Sequence, residues 1–536
     1  MKRTLSLFLA LALALSLAIP ALADEAPVVL TVGVPDHPLV QDWETNQQTL
    51  LIEKTCNVDL QFVKLPYDNK ERQQKLELSM LAGGTDLPDI LINPNFDLAS
   101  LMQYGDMGMI VPLNDYMDNT PYLDAGLANR TVVPVTKEEY LTNITCADGK
   151  IYGLAYCFMT INNSLSGCRL MIYKPWLDKL GLEVPNTAEE LLTVLRAFRD
   201  RDPNGNGKQD ELPLVTSNNF LPTMMKPLMN PFIYYQDNFV SNEDGTLVFN
   251  AVQDGWKEGL AYIKTLVDEG LLSTLSFTQD NAQATALMAQ DEVIVGCFGR
   301  NSASNLPTTD PRREEYVIVG ALEGPSGLKQ QTQIETGYFM RFVITTQCKD
   351  IEAAMRVGDF LSSIEINDIA RYGFEDQNWE RLTGDEIGES QYASLGFQGE
   401  IREFNPVWGV AQNVHWVQQG PYTGDGSTIT YRLIVSAKEG VYDHSTPIGA
   451  GIKRELDYAN TKNRVGNMIF TAEEQEIITE YRATINDAVM TALADFTTGV
   501  RSLDKDWDAY VASLHAMGLE PYMAAMQSCW DRMQGK

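Results

Sequence analysis

Three short apolar runs near the start of the chain, "APVVLTVGVP" (26–35), "VDLQFVKLP" (58–66) and "LPDILINPN" (87–95), are separated by helix-patterned stretches. The first of these covers residues 48–53. The second, "ERQQKLELSMLAGG", carries Leu76, Met80 and Leu81 on one face and stops at Gly83-Gly84. Strands that alternate with helices leave few architectures, and the favoured one is a parallel α/β sheet. The Gly-Gly pair follows a helix and has no G-K-[ST] after it, so it reads as a helix C-cap and excludes a phosphate loop. The alternation continues through "GWKEGLAYIKTLVDEGLL", "VIVGCFG", "YVIVGAL", "GYFMRFVITT" and "DIEAAMRVGDFLSSIE", and from Thr471 onward the pattern is almost wholly helical. With 536 residues the chain can bury two or more sizeable cores. Trp176, Trp256, Trp507 and Trp530 sit on helical stripes and are expected in those cores.

"RDPNGNGKQDELP" (201–213) opens like a calcium-binding EF-hand loop and then departs from it. Asp202, Asn204 and Asn206 stand at ligand positions 1, 3 and 5, Gly207 at 6, the Lys208 carbonyl at 7 and Asp210 at 9. Position 12 is Pro213, which excludes an ordinary EF-hand. Glu211 is the nearby acid able to supply the missing contact. The incoming helix is marked by the capping box Thr187–Glu190 and the stripe Leu191, Leu195 and Phe198. The outgoing "ELPLVTS" should be extended, because Pro213 and β-formers oppose a helix. With one helix and no second hand, the expected role of one calcium ion is structural rather than switching. The competing reading is a metal-free Asn/Gly turn.

The N-terminus, "MKRTLSLFLALALALSLAIPALADEA", has a basic start (Lys2, Arg3), an apolar stretch from Leu5 to Ala18 and the small-residue cleavage pattern Ala21-Leu22-Ala23. It reads as a signal peptide removed near Ala23, giving an extracytoplasmic protein, secreted or periplasmic. The first cysteine is Cys56, so no lipid-bearing cysteine adjoins the cleavage point. Seven cysteines (56, 146, 157, 168, 297, 348, 529) show no C-x-x-C; Cys297 and Cys348 read as buried thiols, and a disulfide within 146, 157 and 168 is weakly supported. Losing Lys2 and Arg3 takes two of the 41 basic residues and turns the formal −31 into −33. Such a chain repels nucleic acid, and no basic stripe overrides that. The sequons at Asn129, Asn143 and Asn162 are read as chance matches to N-x-[ST].

Taken in order, "LAGGTDLPDIL", "MIVPLNDYMDNTPYL", "DGKIYGLA", "LMIYKPWLDKLGLEVPNTAEELLTVLRAFRDRDPNGNGKQDELPL", "EGLAYIKTLVDEGLL" and "RSLDKDWDAYVASLHAMGLEPYM" resemble the family 1 extracellular solute-binding proteins of ABC transporters. The chain looks most similar to the large calcium-containing oligosaccharide binders typified by alginate-binding proteins. The resemblance implies an α/β fold of the two-lobed periplasmic-binding-protein type II kind, with discontinuous lobes, hinge strands and a helical C-terminal region. The expected division is a signal peptide at 1–23, an N-lobe at 24–155 and 318–380, a C-lobe at 156–317, and a mainly C-lobe, helical region at 381–536. It also implies calcium held by Asp202, Asn204, Asn206, Lys208, Asp210 and Glu211, the set the spacing reaches by itself. Expected partners are an oligosaccharide and the membrane permease subunits of the importer, with the protein a monomer. Many Gram-positive relatives carry a lipobox cysteine, which this chain lacks.

A sugar ring offers an apolar face to aromatic side chains and a rim of hydroxyls to polar ones. In open α/β sheets such sites form at the carboxyl ends of strands. Candidate contacts in strand-end loops are Asp36 and His37, Asn93, Asn95 and Phe96, Arg300 and Asn301, and Glu335 and Tyr338. Glu375, Trp379, Trp408, His415 and Trp416 complete the set. His37 and the three tryptophans each have a plainer reading, as a turn residue or core, and Arg300 could be a surface ion-pair residue. His444, in "DHSTP", has no partner pattern. H-E-x-x-H and G-x-S-x-G are absent and no carboxylate pair stands out, so catalysis such as glycoside hydrolysis is not expected. Rival ligands on the same scaffold are a peptide or a small polyol. Alginate itself would need a local basic cleft, which the sequence does not display.

Overall fold

The computed structural model describes residues 26–535 apart from 131–133, 159–168, 219, 237, 301–305, 307–309, 311, 333–336, 391–392, 394–395, 424–431, 434–445 and 467. The signal peptide, Cys168, Asn162, Asn301, Glu335 and His444 therefore lie outside the described residues. In chain order the strands of the two principal sheets are β1 (Val28–Pro35), β2 (Val58–Leu65), β3 (Ile90–Ile92), β4 (Leu154–Phe158) and β5 (Arg169–Tyr173). They continue with β6 (Leu212–Val215), β7 (Val295–Arg300), β8 (Tyr316–Ile318) and β9 (Gly337–Ile344).

The first sheet has the order β2-β1-β3-β9-β4. Its β1–β2 and β1–β3 pairs are parallel, as the N-terminal alternation predicts, whereas β9 runs antiparallel to both β3 and β4. The sheet is mixed because β9 arrives from a distant part of the chain and needs no crossover helix. The second sheet, β8-β5-β7-β6, is mixed as well, with β6 and β7 parallel.

Each sheet anchors its own core. The first gathers residues from Leu30 to Cys157, from Met340 to Ala370, and then Trp416, Val417 and Tyr422. The second gathers residues from Leu170 to Leu322 and from Ile452 to Trp530. The chain thus passes between the cores three times, between residues 157 and 170, 322 and 340, and 422 and 452. The second core runs past residue 317 to Leu322, and the stretch after 380 returns residues to the first core. A two-stranded ribbon between these returns packs Tyr372, Trp379 and Ile401 as a small separate cluster.

Local signals hold where they were strongest. Thr187 and Glu190 form the capping box of the helix Ala188–Asp200, and Thr471 and Glu474 form that of the helix Ala472–Thr498. Gly83 and Gly84 take φ of 97° and 67°, the left-handed region that lets a helix stop without a Cβ penalty. Trp176, Trp256, Trp507 and Trp530 are all buried in the second core. Cys56, Cys146, Cys157, Cys348 and Cys529 are free and buried, so Cys146 and Cys157 are not bridged to one another, and Cys297 is buried as its apolar run predicts. Among the described residues no helix is long and apolar enough to cross a membrane.

Candidate functional site

A cleft of about 730 Å³ lies between the two cores. Its first wall is built from the loop after β3 and from β9. Asn93 and Asn95 take left-handed φ of 50° and 65°, a conformation short polar side chains tolerate best. That geometry is pinned from several sides. The Asn93 amide N–H donates to the Arg341 carbonyl at 2.8 Å, its side-chain amide donates to Gln419 at 2.8 Å, and the Asn95 side chain donates to Gln73 at 3.0 Å. Phe96 packs against Tyr104 with ring centroids 5.0 Å apart. On β9, Tyr338 donates its hydroxyl to Glu139 at 3.2 Å, and burial together with Glu139 raises its pKa far above the usual phenol value. The facing wall comes from the second core's helical region, through Phe470, Gln475 and Arg482. An adjoining trough of about 790 Å³ shares Ala147 and Ile469 with the cleft and runs on toward Lys137 and Arg532.

Of the ligand candidates read from sequence, Asn93, Asn95, Phe96 and Tyr338 line this cleft. The other candidates among the described residues are placed elsewhere. Asp36 pairs with Lys64 at 3.0 Å on the surface. His37 is buried; its Nδ1 accepts the Leu39 N–H and its ring meets Tyr67 edge-on at 4.8 Å. Arg300 ends β7 with its guanidinium 4.7 Å from the Phe220 ring centroid. Glu375 pairs with Arg381 at 3.0 Å. Trp379 is buried, donating its indole N–H to the Gly373 carbonyl at 3.0 Å.

Trp416 is wholly buried between Trp43 and Phe62, its indole N–H on Thr49 at 2.9 Å, so it offers no face to a ligand in this conformation. Trp408 is 39% exposed, with the Arg371 guanidinium 3.9 Å from its ring centroid and His415 stacked beyond at 6.3 Å. His415 is buried and its Nδ1 accepts the Val417 N–H, which assigns the proton to Nε2. Burial, with Arg371 and His37 nearby, pushes its pKa down to about 3 and keeps it neutral.

Sequence reasoning missed Arg341, Phe470, Gln475 and Arg482. A signal existed for the first: Arg341 is the lone charge in the apolar strand "GYFMRFVITT". The others face the cleft only because the third crossing brings 468–482 against the first core's wall.

The loop 201–211 joins the helix Ala188–Asp200 to β6, as its flanks predict. The Asp202 carboxylate accepts from the backbone N–H groups of Gly205, Asn206 and Gly207 at 2.9–3.1 Å. Asp210 accepts from the Asn204 and Asn206 side chains at 3.1–3.2 Å. Glu211 Oε1 is shielded from solvent with no hydrogen-bond partner among the described residues. Its pKa is raised by burial first, and then by the charges of Asp210 and Asp202. An orphaned acid facing two carboxylates and two amides fits an oxygen-seeking cation. Two of the five side-chain donors are asparagines, and among the described residues no three His, Cys, Asp or Glu side chains close into a metal-binding group.

Residues 44–367 match the family described as bacterial extracellular solute-binding protein. The chain belongs to this family. Among curated relatives of this solute-binding protein is the fructooligosaccharide ABC transporter substrate-binding protein FusA of Streptococcus pneumoniae. It is 26% identical over 510 residues, covering 92% of this chain and 88% of FusA. The structure of FusA in complex with kestose superposes with a TM-score of 0.69 at 25% identity, over 95% of this chain and 99% of that one. The polygalacturonan/rhamnogalacturonan-binding protein YtcQ of Bacillus subtilis is 23% identical, covering 80% of this chain and 83% of YtcQ. A human-milk-oligosaccharide (HMO) binding solute-binding protein from Bifidobacterium longum infantis shares the fold, with a TM-score of 0.73 at 19% identity over 95% and 99% of the two chains. The two-lobed α/β architecture with a helical C-terminal region is that of these neighbours.

Proposed function

We propose that this solute-binding protein captures an oligosaccharide in the cleft between its cores and delivers it to the membrane permease of an ABC importer. The observation that carries the reading is the chemistry of the cleft. Aromatic faces (Phe96, Tyr338, Phe470) and side-chain amides (Asn93, Asn95, Gln475) arrive from both cores, which is what a sugar's apolar face and hydroxyl rim require. The names of FusA and YtcQ both specify saccharides, which favours the same ligand class here. Because the chain crosses between the cores three times, closure of one lobe on the other is a hinge motion in which the ligand stabilises the closed form.

The lobes are read as 24–155 with 318–380, and 156–317 with 381–536, the boundaries shifting where Leu322 and Trp416 pack across them. One calcium ion on Asp202, Asn204, Asn206, the Lys208 carbonyl, Asp210 and Glu211 would tie the helix Ala188–Asp200 to β6. The protein acts without catalysis, as a monomer outside the cytoplasm after loss of residues 1–23. Thermal unfolding against a panel of oligosaccharides, polyols and peptides tests the reading. A saccharide at 100 times its Kd adds about 2.7 kcal/mol and is recovered intact. Stabilisation by peptides or polyols alone refutes the oligosaccharide class, and turnover of a saccharide refutes the non-catalytic role.

A further inference from the structure

Resting on that reading, we propose that the cleft selects a carboxylate-bearing saccharide, a hexuronate unit gripped by Arg341 from the first wall and Arg482 from the second. The chain as a whole carries a formal charge of −31, yet among the described residues the charged side chains lining the cleft are Arg341, Arg482 and Asp97. Asp97 is committed to the helix Leu98–Asp106, whose Ser100 N–H it accepts at 2.8 Å. Local charge in this cleft therefore runs opposite to the global charge.

Arg341 is the sharper observation. Its Nε is shielded from solvent without a hydrogen-bond partner, and among the described residues it makes no ion pair. Its neighbour is the Tyr156 ring, at 5.8 Å. Behind it stands a second guanidinium, Arg72, wholly buried and likewise without a carboxylate in contact. Arg72 donates to the carbonyls of Asn93 at 2.7 Å, Pro66 at 3.0 Å and Tyr67 at 2.7 Å, and to the Asn69 side chain. Its hydrogen bonds are thus satisfied while its charge is not. Burial and the Arg341 charge lower the Arg72 pKa, a fall that Asp68 and Tyr67 only partly offset, and burial lowers that of Arg341. A shielded cation beside a second one is costly unless a counter-charge arrives. A planar carboxylate is the group that a guanidinium fork holds bidentately.

Elsewhere along the trough the cations are already matched. Lys137 pairs with Asp124 at 2.7 Å and Arg532 with Glu474 at 2.7 Å. Arg482, by contrast, makes no ion pair among the described residues, and its guanidinium stands 5.4 Å from the Phe470 ring centroid, beside the aromatic face of the second wall. Of these two adjoining pockets, the unmatched positive charge among the described residues lies in the cleft, with the matched trough beside it to take further sugar units.

Isothermal titration with mature protein tests this, using defined hexuronate oligosaccharides of two to six units and their carboxyl-reduced neutral counterparts. The uronates are expected to bind at least tenfold more tightly than the reduced forms, and to weaken as salt rises from about 20 to about 300 mM. Arg341→Met should abolish the preference, and Arg341→Lys should restore part of it. Arg482→Met, on an exposed helix face, should narrow the preference without affecting folding. Equal or tighter binding of neutral saccharides, or a preference unchanged in folded Arg341→Met and Arg482→Met, overturns the proposal and leaves the oligosaccharide reading standing. Binding of neither class by folded protein overturns both.

Discussion

Asp359 offers a test of how burial sets charge in the first lobe. Its carboxylate, 6% exposed, accepts the N–H groups of Leu123 at 2.8 Å and Tyr122 at 3.3 Å. It thereby caps the helix Pro121–Ala128, whose own N-cap residue Thr120 makes no side-chain cap bond. Burial outweighs these hydrogen bonds and raises the pKa from 3.8 to about 6. Between those values the folded state holds the proton and the unfolded state has lost it. Folding therefore binds a proton, and stability falls as pH rises through this window. Roughly two pH units at ~1.4 kcal/mol each put the cost of the buried anion near 3 kcal/mol at neutral pH.

Asp359→Asn removes the charge and keeps one acceptor. Losing the longer hydrogen bond costs about 1 kcal/mol, which leaves a net gain near 2 kcal/mol. For a lobe of this size that is a rise of roughly 4–8 °C in Tm. Scanning calorimetry at pH 7.5 and pH 4 should show the gain at the first and little at the second. Asp359→Ala loses both acceptors and should be less stable than Asp359→Asn at each pH. An Asn variant less stable than the parent at pH 7.5, or a gain that persists at pH 4, would refute the reasoning.

Four further outcomes follow from the structure. Glu455 and Arg169 form a wholly buried ion pair at 2.5 Å between β5 and the helix Thr446–Leu456. Glu455→Ala should cost about 3–5 kcal/mol in urea unfolding, because it strands a buried cation. If the loop 202–211 holds calcium, adding the ion should raise the second lobe's Tm in the parent, whereas Glu211→Gln should need far more calcium for the same rise. A chelator-insensitive Tm with no bound metal would make the loop a plain turn. Trp416→Ala should destabilise the first lobe by about 3–5 kcal/mol. Trp408→Ala should leave saccharide affinity unchanged, since Trp408 lies outside the cleft, and a tenfold loss on titration would contradict that placement.

What could be read from the sequence was local. Capping boxes, the Gly83-Gly84 stop, the helix–loop–strand around 201–213 and the core tryptophans on helices each depend on residues close in the chain. The N-terminal strands were legible for the same reason, since β1, β2 and β3 pair with near neighbours. The cleft was half legible. Asn93, Asn95, Phe96 and Tyr338 follow from the strand-end rule, because the first sheet presents these segments to the gap. That rule failed for Asp36, His37, Glu375 and Trp379, which are taken up by local partners, and for Trp416, which fills the first core. Their polar surroundings in sequence gave no hint of this, since the partners Thr49, Trp43 and Phe62 lie more than 350 residues away. The far wall could not be read at all, because Phe470 and Arg482 reach the cleft through a crossing rather than a motif.

The late return of Trp416, Val417 and Tyr422 to the first core bears on how the chain folds. Cys157 closes the first stretch of that core, and Trp416 emerges about 260 residues later. At ~5–20 residues per second, synthesis leaves the gap open for tens of seconds. For most of that time β3 and β4 exist without their shared partner β9, and throughout it the pocket for Trp416 between Trp43 and Phe62 is unfilled. A nascent chain in this condition shows unpaired strand edges and bare aromatic surface, the features that translocases and holdase chaperones recognise. The discontinuity that links the two cores also leaves the first of them incomplete until most of the polypeptide has been made.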